Sequence, residues 1–274
     1  MRVNKKDLVL DKVAGDLDFN HNEKDTSFSS KLTTSKTIKE LIERKSVRVY
    51  SNKSISKKDK DLIIKASVNA PSAGNMQLYS IIDVTDQKIK NRLSVLCDNQ
   101  DFIKDAKMVL IYLADYSKWI NAFKDLKIKI RKPSMGDFLL ACEDSIIAAE
   151  NAVCAAYSLG IGSCYIGDIM ENYEDIVKLF NLPKYTYPSC MVVFGYPDTK
   201  HLGKKPERFD NEYVVFENKY KILKSSDLKK MFNKRTLSKG YKEWMKWFAG
   251  WKFNSNFSKE MSRSAKLYVK DFNN

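Results

Sequence analysis

Residues 138–159 constrain this chain more than any other stretch. They are Ala-rich and apolar on most faces, and they are closed by Gly160, the residue type best suited to leave a helix in the left-handed conformation. A helix with apolar residues on nearly every side is expected to be buried all round, so a sheet or further helices must enclose it. It is not a membrane span, because Glu143, Asp144, Glu150 and Asn151 interrupt it, and no other run approaches the roughly 20 apolar residues a span requires. With 274 residues, the chain can bury roughly three quarters of its unfolded surface, so a core of the necessary size is available.

Around this helix the pattern alternates. Residues 1–34 are polar, lack sustained periodicity and read as an arm outside a domain spanning 35–274. Thr37 with Glu40 predicts a capped helix whose apolar face is Ile38, Leu41 and Ile42 and which ends near Arg44. Residues 45–50 alternate as a strand or extended loop. Ser56 with Asp59 opens a second helix running to Ala70, where Pro71 stops it. Strands are expected at 77–85, 108–114, 161–166 and 189–196, and helices at 88–97 and 172–181. This alternation, without an internal repeat, predicts an α+β or α/β layered domain. Past Asp198 the sequence becomes loop-rich, basic and aromatic.

Composition narrows the function classes. The net charge is +14, and residues 200–274 hold 19 Lys plus Arg against 8 Asp plus Glu, so an anionic partner or a solvated lysine surface has to account for the excess. Five cysteines without a C-x-x-C pair argue against a disulfide scaffold and predict a reducing, cytoplasmic setting with no secretory leader. His21 and His201 are the only histidines, too few for a His-rich metal site, and no metal is expected.

Three segments carry candidate chemistry. In Arg44-Lys45-Ser46-Val47-Arg48, an extended backbone places Arg44, Ser46 and Arg48 on one face, two guanidinium forks and a hydroxyl suited to a phosphate monoester. A basic helix end complementing its own dipole is the competing reading. The loop 70–77 brings Ser72, Asn75 and Gln77 between a helix end and a strand start, with donors and acceptors for the edge of a planar heteroaromatic ring, or a tight turn and nothing more. Gly160-Ile161-Gly162 and Gly167 resemble a dinucleotide fingerprint only superficially. The segment leaves a helix and enters a strand, the reverse of the Rossmann context, so the glycines either clear room for a flat ligand or simply cap the helix.

Taken in order, R-K-S-V-R-V-Y at 44–50, A-P-S-A-G-N-M-Q at 70–77, L-G-I-G-S-C-Y-I-G at 159–167, L-P at 182–183, F-G-Y-P at 194–197 and K-P-E-R-F at 205–209 resemble the nitroreductase and flavin reductase family, in its NADPH-dependent, oxygen-insensitive branch. The resemblance covers about residues 36–272. It implies an α+β, nitroreductase-like three-layer sandwich with a central, mostly antiparallel sheet flanked by helices, and a C-terminal extension (199–274) wrapping a dimer partner. It further implies a homodimer with FMN at the subunit interface, reduced by NADPH or NADH and reoxidised by nitroaromatics, quinones or free flavin in a ping-pong order. The flavin ring carries the chemistry and no side chain is catalytic.

By the same resemblance, Arg44, Lys45, Ser46 and Arg48 meet the FMN phosphate and ribityl chain, joined by Lys205 and Arg208. Ser72, Asn75 and Gln77 lie near the isoalloxazine, and Gly162, Ser163, Cys164 and Tyr165 border its other side. Gln100, Asp101 and Phe102 reach across from the second subunit. The chain departs from the family at two places: Glu207 intervenes before Arg208, leaving Lys204, Lys205 and Arg208 as alternatives for the phosphate, and Arg44 stands where His is usual. Lys234-Arg235 is expected in a loop, with Arg235 assigned to NADPH.

Trp244, Trp247 and Trp251 recur at helical spacing among Lys242, Lys246 and Lys252, which favours a core or dimer contact over base stacking. The alternatives to the flavin oxidoreductase are a basic nucleic-acid-binding protein, which accounts only for the charge and the Trp stripe, and a flavin-binding protein without turnover. The expected partners are small-molecule electron acceptors, with neither nucleic acid nor membrane.

Overall fold

A computed structural model of the chain describes residues 35–201, 203–237 and 240–273; the expected N-terminal arm lies outside them. The elements run α1 (Lys36–Glu43), α2 (Lys57–Val68), β1 (Tyr79–Asp83), α3 (Gln87–Leu96), α4 (Asp101–Asp105), β2 (Met108–Asp115), α5 (Ser117–Asp125), α6 (Met135–Ser158), β3 (Gly162–Ile166), α7 (Tyr173–Phe180) and β4 (Thr186–Gly195). After them come α8 (Ser225–Thr236), α9 (Tyr241–Phe248) and α10 (Asn256–Val269). The expected alternation holds through β4, with the short α4 and α5 added to it.

The four strands form one antiparallel sheet in the order β1-β2-β4-β3. Every residue of β2 is buried, and the two-residue period of a strand divides its side chains between two cores. Met108, Leu110 and Tyr112 pack with Ile63 of α2 and with Ala148, Ala149 and Ala152 of α6. Val109, Ile111 and Leu113 pack with Leu93 of α3, Ile103 of α4 and Ile176 of α7. The sheet is thus the middle of three layers, as the family resemblance implied. Across from β2, Pro188 offers no N–H to the ladder, and the register slips there, leaving Ser189 unpaired. The Ser189 hydroxyl accepts a hydrogen bond from Ser145 of α6 at 2.7 Å.

The long helix starts three residues earlier than expected, because Asp137 accepts the Ser134 N–H at 2.8 Å and fixes its first turn. Arg131 grips the same carboxyl and holds it down at about 2. At the other end Gly160 has φ +75°, with Gly160 N–H bonded to Tyr157 O and Ile161 N–H to Ala156 O, the paired bonds of a Schellman stop.

Its burial is narrower than the sequence implied. The alanine face is closed against the sheet and α2, but Leu139, Leu140, Ile146 and Ile147 are 39–54% exposed, because they point away from both. An apolar stripe on α6 is therefore left open by this single chain.

Other differences are local. Helix α1 begins at Lys36 after Ser35, ahead of the Thr37–Glu40 pair. Gln77 is not in β1; with φ +48° it belongs to the preceding turn. Past Asp198 the chain is more helical than its composition suggested, and Lys234 and Arg235 lie in the last turn of α8, not in a loop. What holds α8 is aromatic: Phe232 sits 5.2 Å from Phe209 and 5.9 Å from Trp244. Trp244 is buried and stacked on Phe248, in keeping with the core reading, whereas Trp247 and Trp251 stack on each other half-exposed. Tyr268 of α10 and Phe272, just past its end, dock beside Leu78, Phe138 and Tyr187. No helix among the described residues is long and apolar enough to cross a membrane.

Candidate functional site

The segment after α1 runs extended over the end of the sheet. Ser46 forms a parallel bridge with Ser163 of β3, Val47 N–H donates to Ser163 O at 2.9 Å, and Tyr50 bridges Pro197 just beyond β4. Two glycines permit this path. Gly162 and Gly195 pair with each other across β3 and β4, and a Cβ on Gly162 would lie 2.4 Å from Val47 Cγ2, one on Gly195 2.5 Å from the Tyr50 ring. Only glycine leaves room for the segment to lie flush on the strands. The sequence singled out Gly162 for this reason, with a ligand rather than the chain itself as the occupant.

Pinned in this way, the segment walls a cavity of about 290 Å³ whose other side is formed by His201 and residues 203–208. Lys45, Arg48, Lys204, Lys205 and Arg208 all border it, and among the described residues no carboxylate pairs with any of the five. Lys45 Nζ donates instead to Gly203 O at 2.7 Å, and Lys205 Nζ to Ile42 O, which ties the loop back to the end of α1. Ser46 lines the same space. His201 stands at the rim, its Nδ1 2.9 Å from Asp198 Oδ2. A larger cavity of about 470 Å³ adjoins through Lys45 and Val47, but Glu40 and Glu43 share its wall with the lysines, so the concentrated positive charge belongs to the smaller one.

Arg48 extends toward Phe102 of α4, 5.8 Å above the ring, and lies beside the buried Cys164. Burial pushes the Cys164 thiol up, and the adjacent Arg48 and Ser46 pull it the other way. Gln100, at the start of α4, donates from Nε2 to Asp168 Oδ2 at 2.5 Å. Ser46, Arg48, Phe102, Ser163 and Cys164 thus come together in one chain: Phe102 meets Arg48 from within its own chain, where the resemblance implied a reach across from the second subunit, and Gln100 precedes the helix that carries it. Arg44 is turned elsewhere. Its Nη2 lies 3.1 Å from Glu150 Oε1 of α6, and it does not border the cationic cavity. Tyr165 Oη donates to the other oxygen of Glu150 at 2.9 Å.

The 72–77 loop is held by other means. Asp144, buried within α6, accepts from Ala73 N–H at 2.9 Å and from Leu78 N–H at 3.1 Å, gripping the loop at both ends. Ser72 Oγ accepts the Gln77 N–H, and Gln77 Nε2 donates to Val68 O. No described hydrogen bond, ion pair or ring contact joins Ser72, Asn75 or Gln77 to the 44–48 segment. Arg235 lies 3.9 Å over the Phe209 ring and donates to Glu207 O, beside a cavity of about 210 Å³ that Arg208 also borders. Sequence reasoning missed Asp144 and Glu150 as site-shaping groups. The available signal was a carboxylate inside an otherwise apolar helix, which demands a partner.

Comparison with known proteins identifies the family. Residues 41–196 match the Nitroreductase family. The FMN reductase [NAD(P)H] of Bacillus subtilis is 30% identical over 217 residues, 76% of this chain and 87% of that protein. The oxygen-insensitive NADPH nitroreductase of Salmonella typhimurium is 31% identical over 190 residues, 69% of this chain and 76% of that one. Among solved structures, NfrA2 of B. megaterium superposes with a TM-score of 0.74 at 26% identity, covering 86% of this chain and 98% of that one. The NADPH:FMN oxidoreductase of Vibrio harveyi complexed with NAD+ shares the fold with a TM-score of 0.73 at 24% identity, over 85% of this chain and 97% of that one. The antiparallel three-layer sheet, the motif order along it and these matches together establish that the chain belongs to the nitroreductase family.

Proposed function

We propose that the protein is an FMN-dependent NAD(P)H oxidoreductase, a cytoplasmic homodimer that takes reducing equivalents from NADPH or NADH and delivers them to nitroaromatics, quinones or free flavin in a ping-pong order. The observation that carries this reading is the cationic cavity. Five basic side chains around about 290 Å³, two of them donating to carbonyls and none paired with a carboxylate among the described residues, are matched by the phosphate monoester of a flavin nucleotide. The names of the relatives, an FMN reductase and an NADPH nitroreductase among them, support the same assignment.

Bound FMN would supply the two-electron redox chemistry that no side chain here offers. The chain's own work is binding and orientation. Lys45, Arg48, Lys205 and Arg208 would hold the phosphate, with Ser46 donating its hydroxyl. Lys45 and Lys205 donate only to the neutral Gly203 and Ile42 carbonyls, partners they would give up to an anion more readily than a carboxylate. Ser163, Cys164 and Phe102 bound the crevice beyond Arg48. The 72–77 loop acts on the cofactor of a second copy, a reading supported by its separation from the 44–48 segment and by the open apolar stripe of α6, which a subunit interface would cover. Arg235, one cavity away from the phosphate site and sharing Arg208 with it, serves the nicotinamide dinucleotide. Nucleic acid has no part in this reading.

The purified protein is expected to be yellow or to become so with FMN, and to bleach when NADPH or NADH is added without oxygen. A preparation that stays colourless after incubation with FMN overturns the proposal. A flavin that binds but bleaches with neither donor reduces it to a flavin-binding protein without turnover.

A further inference from the structure

Glu150 is engaged on both oxygens by the two segments whose bridge shapes the cationic cavity. Oε1 receives Arg44, the residue that ends α1 and begins the extended segment; Oε2 receives Tyr165, two residues along β3 from Ser163. Between these attachments lies the Ser46–Ser163 bridge itself, with Val47 N–H on Ser163 O. A single carboxylate on α6 therefore ties the start of the segment and the strand beneath it to one rigid helix. Cys154 Sγ, one turn further along α6 at 3.7 Å from Oε1, adds a weak donor to the same oxygen.

Among the described residues Arg44 forms no other ion pair. Its Nε is buried without a hydrogen-bond partner, so Glu150 is the group that compensates its charge. Remove the carboxylate and a half-buried guanidinium is left unpaired at the root of the segment, which costs more than the pair itself is worth and is relieved by swinging Arg44 out. That swing carries with it the backbone that places Lys45, Ser46 and Arg48. Tyr165, whose phenol is pushed up first by burial and then by the charge of Glu150, loses its acceptor at the same time.

We infer that Glu150 is a positioning residue for the cofactor phosphate. It acts through Arg44 and Tyr165, sets the register of the 44–48 segment on β3 and keeps Arg44 out of the cavity, so that Arg44 is a strut rather than a phosphate ligand. The inference rests on the flavin reading above.

Its test compares FMN with riboflavin, which has the same ring and side chain but no phosphate. In apo-protein reconstituted with each flavin, Glu150→Gln is expected to weaken FMN by about tenfold or more, the scale of a charged hydrogen bond, while riboflavin affinity stays at the wild-type value. Arg44→Gln should give the same selective loss, and the double variant no more than either single one, because both cut one contact. If Glu150→Gln does not fold, Arg44→Gln reads that contact from the other end. FMN affinity unchanged or raised in Glu150→Gln overturns the inference, a rise meaning that the freed Arg44 binds phosphate directly. Equal losses for FMN and riboflavin overturn it too, by showing a general structural role. Wild-type protein that binds neither flavin removes the flavin reading and the strut's role with it; flavin binding indifferent to Glu150 removes the strut alone.

Discussion

The 44–50 segment and the 72–77 loop are similar pieces of sequence, short, polar and placed beside an element boundary, yet they are stabilised in opposite ways. The first is pinned by its backbone to β3 and to the residues just past β4, and beyond Arg44 its charged side chains, Lys45 and Arg48, border a cavity. The second is pinned from outside by Asp144, and the Ser72 and Gln77 side chains are engaged in bonds within their own neighbourhood. A segment that is held by its main chain can present its side chains to a ligand, whereas one whose side chains and amides are already engaged can present mainly a shape. The cationic segment is therefore expected to supply cofactor affinity, and the 72–77 loop to supply geometry to a neighbouring copy.

The largest expected effect lies on the loop side. Asp144→Ala leaves the Ala73 and Leu78 amides without their acceptor in a buried position, and stability should fall by about 2–5 kcal/mol in denaturant unfolding. If the loop owed its shape to its own turn residues instead, the variant would unfold at nearly the wild-type midpoint and the contrast would collapse.

Arg48→Ala probes the other side. It removes a charged donor from the cavity without leaving a carboxylate unpaired, so FMN binding should weaken by about 1.5–3 kcal/mol while the unfolding midpoint of the apo-protein changes little. Titration of apo-protein with FMN separates the two. Equal flavin affinity in variant and wild type would detach Arg48 from the phosphate.

Alanine in place of glycine sharpens the contrast within one type of substitution. Gly162→Ala drives a Cβ into Val47, a branched side chain next to the backbone that cannot swing away, so overpacking should cost about 1–3 kcal/mol of stability and lower flavin retention together. At Gly74 a Cβ meets only the Met76 side chain at 3.8 Å, and the cost is confined to the strain of φ +55°, about 1 kcal/mol, with flavin retained. Matching losses of stability and flavin in the two variants would contradict the assignment of affinity to one segment and shape to the other.

These contrasts also mark what the sequence could show. Local chemistry was legible: Ser56 caps α2 through Asp59 N–H, Gly160 stops α6, and the apolar runs became the strands of the sheet. Contacts between distant positions were not. Arg44 lies 106 residues from Glu150 and Ala73 lies 71 from Asp144, and neither partner is visible in a local pattern. An alternating segment promised that Arg44 and Arg48 would share a ligand, but one partly exposed carboxylate on α6 was enough to divert Arg44. Helix α8 escaped notice because its apolar side is a few aromatic contacts rather than a periodic stripe, and α10 because its docking residues, Tyr268 and Phe272, sit at and just past its far end. The open stripe on α6 read as full burial for the same reason: hydrophobicity announces that a face is to be covered, not which chain covers it.

The last effect concerns a third polar element near the site, where the sign of the charge is reversed. Glu171 follows the turn that holds Asp168, the acceptor of Gln100, and its Oε1 is buried without a partner. Burial, and then the nearby Asp168, Asp98 and Glu260, push its carboxyl up to about 7. Arg263 is the cation of this corner, but its bonds go to Glu174 and Glu260. The folded protein therefore keeps a proton on Glu171 that the unfolded chain has released once the pH passes the ordinary glutamate range. The resulting stabilisation is full below that range, shrinks as the pH rises toward about 7 and is absent above it. Glu171→Gln removes the titration, so its unfolding midpoint relative to wild type should climb between about pH 5 and about pH 8. A constant offset across that range would mean that Glu171 ionises as readily in the folded protein as in the unfolded chain. In that case the anionic corner would be open to water, as Arg48 and Arg208 at the cationic cavity are.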